Sequence, residues 1–180
     1  MNEKVTRITV IGNIVLLIIL SIFSFQLLSS PRPFILLDYA NLVIHETGGV
    51  LFIFFGQFFL MLGQNIYQNL MPFLFFLYFF RRKSFASAAF CFFWLGDNLI
   101  QTGVYMKDAK TMTLPLVSIW GSTENGQGHD FHYIFSQLGI LPYDQIIGGL
   151  FWWIGAICVI LSILSLLYIL KIQIKEIIHY

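Results

Sequence analysis

An all-α bundle of about five membrane-crossing helices, forming one domain over residues 1–180, is the fold class this sequence predicts, and three observations carry it. Of 180 residues, 58% are hydrophobic and only 11% charged, where an ordinary soluble domain carries roughly 25%. That charge is too sparse to cover a globular surface. Phe occurs 20 times, and several apolar runs approach the roughly 20 residues that a spanning helix needs. Polar or proline-rich breaks then separate these runs. A net charge of +1, with no basic stripe or aromatic platform, excludes nucleic acid as a partner. The partner this composition implies is the lipid bilayer. Cys91 and Cys158 both fall inside apolar runs, where a free Cys behaves as a small hydrophobe.

Taken in order, a polar lead with Lys4 and Arg7 precedes an apolar stretch over 8–28, longer than the 7–15 residue core of a secretory signal. It is expected as a retained first helix. Ser29-Ser30-Pro31-Arg32-Pro33 cannot continue it, because proline lacks the amide donor, so a turn is expected there. The apolar run from 34 to 80 is too long for one span. Gly63-Gln64-Asn65 suggests dividing it into helices over 34–62 and 66–80, with Pro72 near the start of the second. Arg81-Arg82-Lys83 closes that helix, and a fourth over 84–106 carries Asp97 and Asn98. Residues 107–145 form the one long polar segment, with Gly121, Gly126 and Gly128 marking irregular backbone. Asp144 is placed to cap a last helix over 146–170. For five alternating spans the basic residues divide six to four, with Arg32, Arg81, Arg82, Lys83, Lys171 and Lys175 against Lys4, Arg7, Lys107 and Lys110. So even a split assigns no orientation.

The chemistry gathers around the stretch 42–70, where His45 and Glu46 stand side by side in an apolar segment. Ionisable side chains at membrane depth cost roughly 2.5–3.5 kcal/mol each on insertion scales, and so mark functional sites. At 100 degrees per residue, His45, Gly49, Phe52, Gly56 and Gly63 gather on one helical face, with Glu46, Gln57 and Gln64 beside it. Such a face equally suits close helix packing. The fourth helix presents Asp97, Gln101 and Asp108 on one face. Asp97 and His45 are expected to meet at mid-depth, although Asp97 could instead tie helices through Asn98 and Gln101. In the polar segment, His129 and His132 have the spacing that puts two imidazoles on one helical face, with Asp130 between them as a cap or an orienting partner.

His-Glu followed by glycine is similar to the zinc-protease signature His-Glu-x-x-His. Over a wider stretch, HETGGVLFIFFG, GQNIYQNLMP, WLGDNLIQTGVYMKDA, LPL and GHDFHYIFSQLGIL resemble a family of small bacterial membrane proteins that carry His-Glu-x-Gly-His. Those proteins are themselves similar to site-2 (M50-type) intramembrane metalloproteases. The resemblance covers roughly residues 40–146. It implies a bacterial inner-membrane location, zinc as cofactor, His45 as a zinc ligand, Glu46 as the catalytic base and Asp97 as a third ligand. Asp108 and the His129-Asp130 pair become further polar members of the site. This chain departs from the pattern at Gly49, where the second motif histidine belongs. The expectation that repairs the departure folds the 129–132 segment into the gap beside His45. The site is then His45, His129 or His132, and Asp97 or Asp108.

Three functions follow as expectations. The first is a zinc-dependent intramembrane hydrolase acting on a membrane-protein or peptide substrate. A second is a non-catalytic membrane scaffold or binding protein with a buried polar cluster. The third is a small transporter or proton pathway through His45, Glu46, Asp97 and Asp108, for which no inverted repeat is present.

Overall fold

The computed structural model describes residues 7–27, 36–118, 121–123 and 128–178. Six α-helices account for most of them: α1 (Arg7–Leu27), α2 (Leu36–Phe52), α3 (Gln57–Arg81), α4 (Phe85–Lys107), α5 (Asp130–Gln137) and α6 (Asp144–Ile178). Between α4 and α5, β1 (Leu116–Ser118) and β2 (Gly121–Thr123) pair antiparallel with Leu116 opposite Thr123. The polar segment expected to be irregular thus holds a short ladder and a short helix. Among the described residues, two stretches are long and apolar enough to cross a bilayer, Arg7–Leu27 and Leu141–Ile178.

The break within 34–80 falls elsewhere than Gly63-Gln64-Asn65 suggested. The chain leaves α2 through a 3-10 turn at Ile53–Phe55 and reverses at Gly56. Gly56 has φ 89, a left-handed conformation that costs glycine nothing and a β-branched or aromatic residue a good deal. Gly63 lies inside α3 because it is needed for packing: a Cβ there would come within 2.5 Å of the Phe52 ring. Pro72 sits inside α3, buried. At the other end of the chain, Asp144 is not the flanking cap that was expected but the first residue of α6, helical in its backbone, with Oδ1 accepting the Gln145 amide at 2.7 Å.

Glycines set the closest helix contact. A Cβ on Gly96 would lie 2.8 Å from the Gly155 carbonyl oxygen, and one on Gly103 would lie 2.6 Å from that of Gly148. The backbones of α4 and α6 therefore touch at two levels seven residues apart, the small-residue packing of membrane bundles. Between these levels and beyond them, Leu20, Leu27, Ala89, Phe93, Ile100, Ala156, Val159 and Leu166 form the larger apolar core.

Contacts along each pair fix helix direction. Arg7, Val10 and Ile11 line one groove with Ile174, Ile177 and Ile178, and Asn13 bonds Gln173, while Leu20 and Leu27 share a core with the earlier Val159 and Leu166, so α1 runs against α6. Ser162 bonds the Ala89 carbonyl while Gly148 meets Gly103, so α4 also runs against α6. On the other side of α4, Asn98 bonds the Gln68 carbonyl and Phe92 packs on Phe76, making α3 antiparallel to α4. His45 bonds Gln68 while Phe52 covers Gly63, making α2 antiparallel to α3. Hence α1, α2 and α4 run one way, α3 and α6 the other. The turn expected at 29–33 lies outside the described residues, but α1 and α2 do not form the reversing hairpin that five alternating spans require. α1 and α4 also pack along different stretches of α6, whose 35 residues reach about 52 Å at 1.5 Å each.

Candidate functional site

A polar stripe on α3 organises the interior. Gln64, Asn65, Gln68 and Asn69 recur at the four-residue spacing that keeps side chains on one face, in a helix otherwise made largely of Phe and Leu. Asn98 on α4 donates to the Gln68 carbonyl at 2.8 Å, and Asn69 donates to Thr102 at 3.0 Å. Asn65 donates at 2.7 Å to Oδ2 of Asp130, which opens α5. The stripe thereby joins α3 to α4 and to α5. The amide nitrogens donate to carbonyls, a hydroxyl and a carboxylate here because an unmade hydrogen bond in an apolar interior costs about 1–3 kcal/mol, while among the described residues nothing donates to the buried Oδ1 atoms of Asn69 and Asn98.

His45 projects from α2 onto the same stripe. Its Nδ1 lies 3.0 Å from Gln68 Oε1, and its Nε2 lies 3.4 Å from Asp130 Oδ2. With oxygen facing each nitrogen, the ring serves either as an imidazolium between two acceptors or, with the Gln68 amide reversed, as a neutral donor to Asp130. The backbone amide of Asp130 donates to the Tyr105 hydroxyl at 2.9 Å, which holds the start of α5 on the end of α4. Glu46 is half-buried on the same turn of α2 as His45.

The remaining expected residues are engaged at separate places. Asp97 is fully buried on α4 and does not stand among the partners of His45. Its Oδ2 accepts from Gln101 Nε2 at 3.0 Å, and the same nitrogen donates to Asp38 Oδ1 at 2.9 Å. Gln101 thus bridges two acids, one from α2 and one from α4, while Trp94 donates to Asn41 at 2.6 Å.

Asp108, just past α4, gathers the turn that follows. Its Oδ1 accepts from the Thr111 hydroxyl at 2.6 Å and from the Thr113 hydroxyl and amide at 2.8 and 3.0 Å, and its Oδ2 accepts the Leu114 amide at 3.0 Å. Burial raises the cost of ionising it, but these bonds, led by Thr111, bring its pKa down to about 2.

His129 is the N-cap of α5: its Nδ1 accepts the His132 amide at 3.2 Å. That bond occupies the Nδ1 lone pair and leaves the proton on Nε2, which faces Asp108 Oδ2 at 3.5 Å. Burial pushes the His129 pKa down, against the opposing pull of Asp108 and Asp130. Its ring lies 4.2 Å from that of Tyr105, centre to centre. His132 places its Nδ1 2.7 Å from the Ala109 carbonyl, the ring nitrogen donating because the carbonyl can only accept.

The gap beside Gly49 is not filled by the 129–132 segment. Gln64 fills it: a Cβ at position 49 would lie 2.7 Å from Gln64 Nε2. Among the described residues of the polar segment, only Asp130 reaches His45. Their 3.4 Å separation is close to the edge of a zinc tetrahedron with bonds of roughly 2.0–2.1 Å, but catalytic zinc takes three protein ligands. Among the described residues no group of three or more His, Cys, Asp or Glu side chains converges, and His129 offers a protonated nitrogen where a ligand needs a lone pair. As placed, the set does not fit a catalytic zinc.

Gln64 beside Gly49, Gln68 on His45, and Asn65 and Tyr105 on Asp130 were not assigned those places from the sequence. The signal for the first three was available in the four-residue spacing of amides along α3. Tyr105 bonds a loop amide, which no spacing rule reveals. No family model, no curated protein and no solved structure matches this chain.

Proposed function

We propose that this chain is a non-catalytic integral membrane protein, a scaffold whose buried polar side chains lock its helices and clamp the 108–137 segment against one end of the bundle. One observation carries the reading: the acids and imidazoles are used pairwise, at separate places, as ties between elements. Gln101 with Asp38 and Asp97 ties α2 to α4. His45, Asn65 and Asp130 tie α2, α3 and α5. Asp108 and His129 hold the turn after α4 and the head of α5.

The reading includes a membrane arrangement. α1 and α2, running the same way, make one staggered passage, and α3, α4 and α6 make three more. The start of α1 and the finish of α6 then lie at one end with Arg7, Arg81, Arg82, Lys83, Lys171 and Lys175, and the opposite end carries Lys107 and Lys110. Among the described residues, six basic side chains at that end against two at the other support a cytoplasmic location for the first and the far face for the clamped segment. A scaffold of this kind presents that segment, with its strand pair, to a partner outside the bilayer.

Glu46→Gln tests the reading directly. For a scaffold, the purified variant keeps its fold, because Gln preserves the size and hydrogen-bonding capacity of the half-buried Glu46, and the cellular phenotype is retained. A variant that keeps its fold but loses the phenotype would overturn the scaffold and favour an enzyme. The enzyme reading has its own support in the pairing of His45 with Asp130, oriented by Gln68. It predicts about one zinc per chain in the purified protein and less after Asp130→Ala.

A further inference from the structure

At the end of the bundle where the chain both begins and finishes, α1 and α6 part slightly. Arg7, Val10 and Ile11 from one side and Ile174, Ile177 and Ile178 from the other line a groove of about 290 Å³. This lies just below the roughly 300–1,000 Å³ of ordinary small-molecule sites. The polar contact between Asn13 and Gln173 at 2.9 Å marks where its apolar wall gives way toward the bundle interior. Five of the six lining residues are aliphatic, and the sixth, Arg7, lines the groove chiefly with its aliphatic stem. At 100 degrees per residue, Lys171 and Lys175 fall on the stripe of α6 adjoining Ile174 and Ile178, while Glu176 falls on the opposite face. Among the described residues no carboxylate pairs with Arg7. We propose that this groove binds an anionic phospholipid, one acyl chain lying along the Val and Ile walls and the phosphate resting on Arg7, with Lys171 and Lys175 beside it.

The occupant follows from charge complementarity joined to the lining. A free phosphate would gain nothing from five aliphatic walls, and a zwitterionic lipid would bring its own cation toward three others. Basic residues at a bilayer surface attract anionic lipid by about 1 kcal/mol each, which is about fivefold in affinity.

The full-length protein, stripped of lipid in detergent, is titrated with phosphatidylglycerol, phosphatidylcholine or inorganic phosphate, and retained lipid is counted by native mass spectrometry. Phosphatidylglycerol is retained in preference to phosphatidylcholine, and Arg7→Gln lowers its retention about fivefold, with Arg7→Lys restoring most of it. Ile11→Trp, which fills the groove and leaves Arg7 intact, lowers retention as well. Equal retention of the two lipids, unchanged retention in Arg7→Gln, or competition by inorganic phosphate at the lipid's own concentration would each overturn the proposal. Should Arg7→Gln fail to fold, Ile11→Trp and the wild-type phosphate competition decide it.

Discussion

Asp108 and His129 face each other across 3.5 Å, yet the charge state of each is governed by other surroundings, the hydrogen bonds from Thr111, Thr113 and Leu114 for Asp108 and burial for His129. Asp108 is held ionised by the Thr111, Thr113 and Leu114 bonds, its pKa brought from 3.8 to about 2. A carboxylate with a depressed pKa lends stability above its unfolded value and loses it as pH falls through the folded one. The turn after α4 should therefore loosen between about pH 4 and pH 2, read as faster exchange of the Thr113 and Leu114 amides. Asp108→Asn should abolish that acid limb and cost about 1–2 kcal/mol at neutral pH; a limb that persists would assign it to another carboxylate. His129 behaves in the same sense. Its lowered pKa means the unfolded chain takes up the proton first, so the cap of α5 weakens as pH drops below about 6.5.

Position 49 admits a sharper experiment. Gly49→His alone must displace Gln64, whose amide nitrogen lies 2.7 Å from the new Cβ, and should destabilise the α2–α3 pair by about 1–3 kcal/mol. Combined with Gln64→Ala, it sets a second imidazole one helical turn from His45, near Asp130. The double variant should retain zinc after dialysis where the parent retains less, measured as metal per chain. An unchanged metal content would show that His45 and Asp130 are fixed as a structural tie.

At the scale of elements, the sequence disclosed which residues are apolar helix but not where glycine ends a helix and where it packs one. Gly56 and Gly63 look alike in the sequence. Gly56 terminates because its backbone is left-handed, while Gly63 continues α3 because Phe52 must lie over it, and only tertiary contact separates the two. The polar half of the site was legible for a different reason. His45, Asp97, Asp108 and His129 stand out as ionisable residues in a greasy chain, and all four prove engaged, but their pairing depends on helix directions that composition cannot give. The heptad glycines of α4 and α6 carry the firmest prediction at this scale. Gly103→Val would set its Cβ 2.6 Å from the Gly148 carbonyl oxygen and 2.7 Å from the Trp152 amide. Backbone atoms on both sides cannot rotate away, so the variant should lose about 3 kcal/mol or more, seen as a lowered unfolding midpoint in detergent. Gly149→Val, beside open space apart from Lys107 at 3.9 Å, should be nearly neutral by the same measurement.

For the whole molecule, the proposed membrane arrangement turns on the side on which each end emerges. Five alternating passages would put Arg7 and Lys175 on opposite faces. The observed directions, with α1 antiparallel to α6 through Asn13 and Gln173, put them at the same end, with Lys110 at the other. Cys91 and Cys158 are buried and free, so a newly introduced cysteine can be read selectively. Arg7→Cys, Lys175→Cys and Lys110→Cys are each expressed, and intact cells are treated with a membrane-impermeant maleimide. Lys110→Cys should label in intact cells, whereas Arg7→Cys and Lys175→Cys should label only after lysis, as the six-to-two distribution of basic residues requires. Labelling of Arg7→Cys and Lys175→Cys from opposite faces would show that α1 crosses independently of α2. The shared passage would then be wrong, and with it the cationic end on which the lipid groove depends.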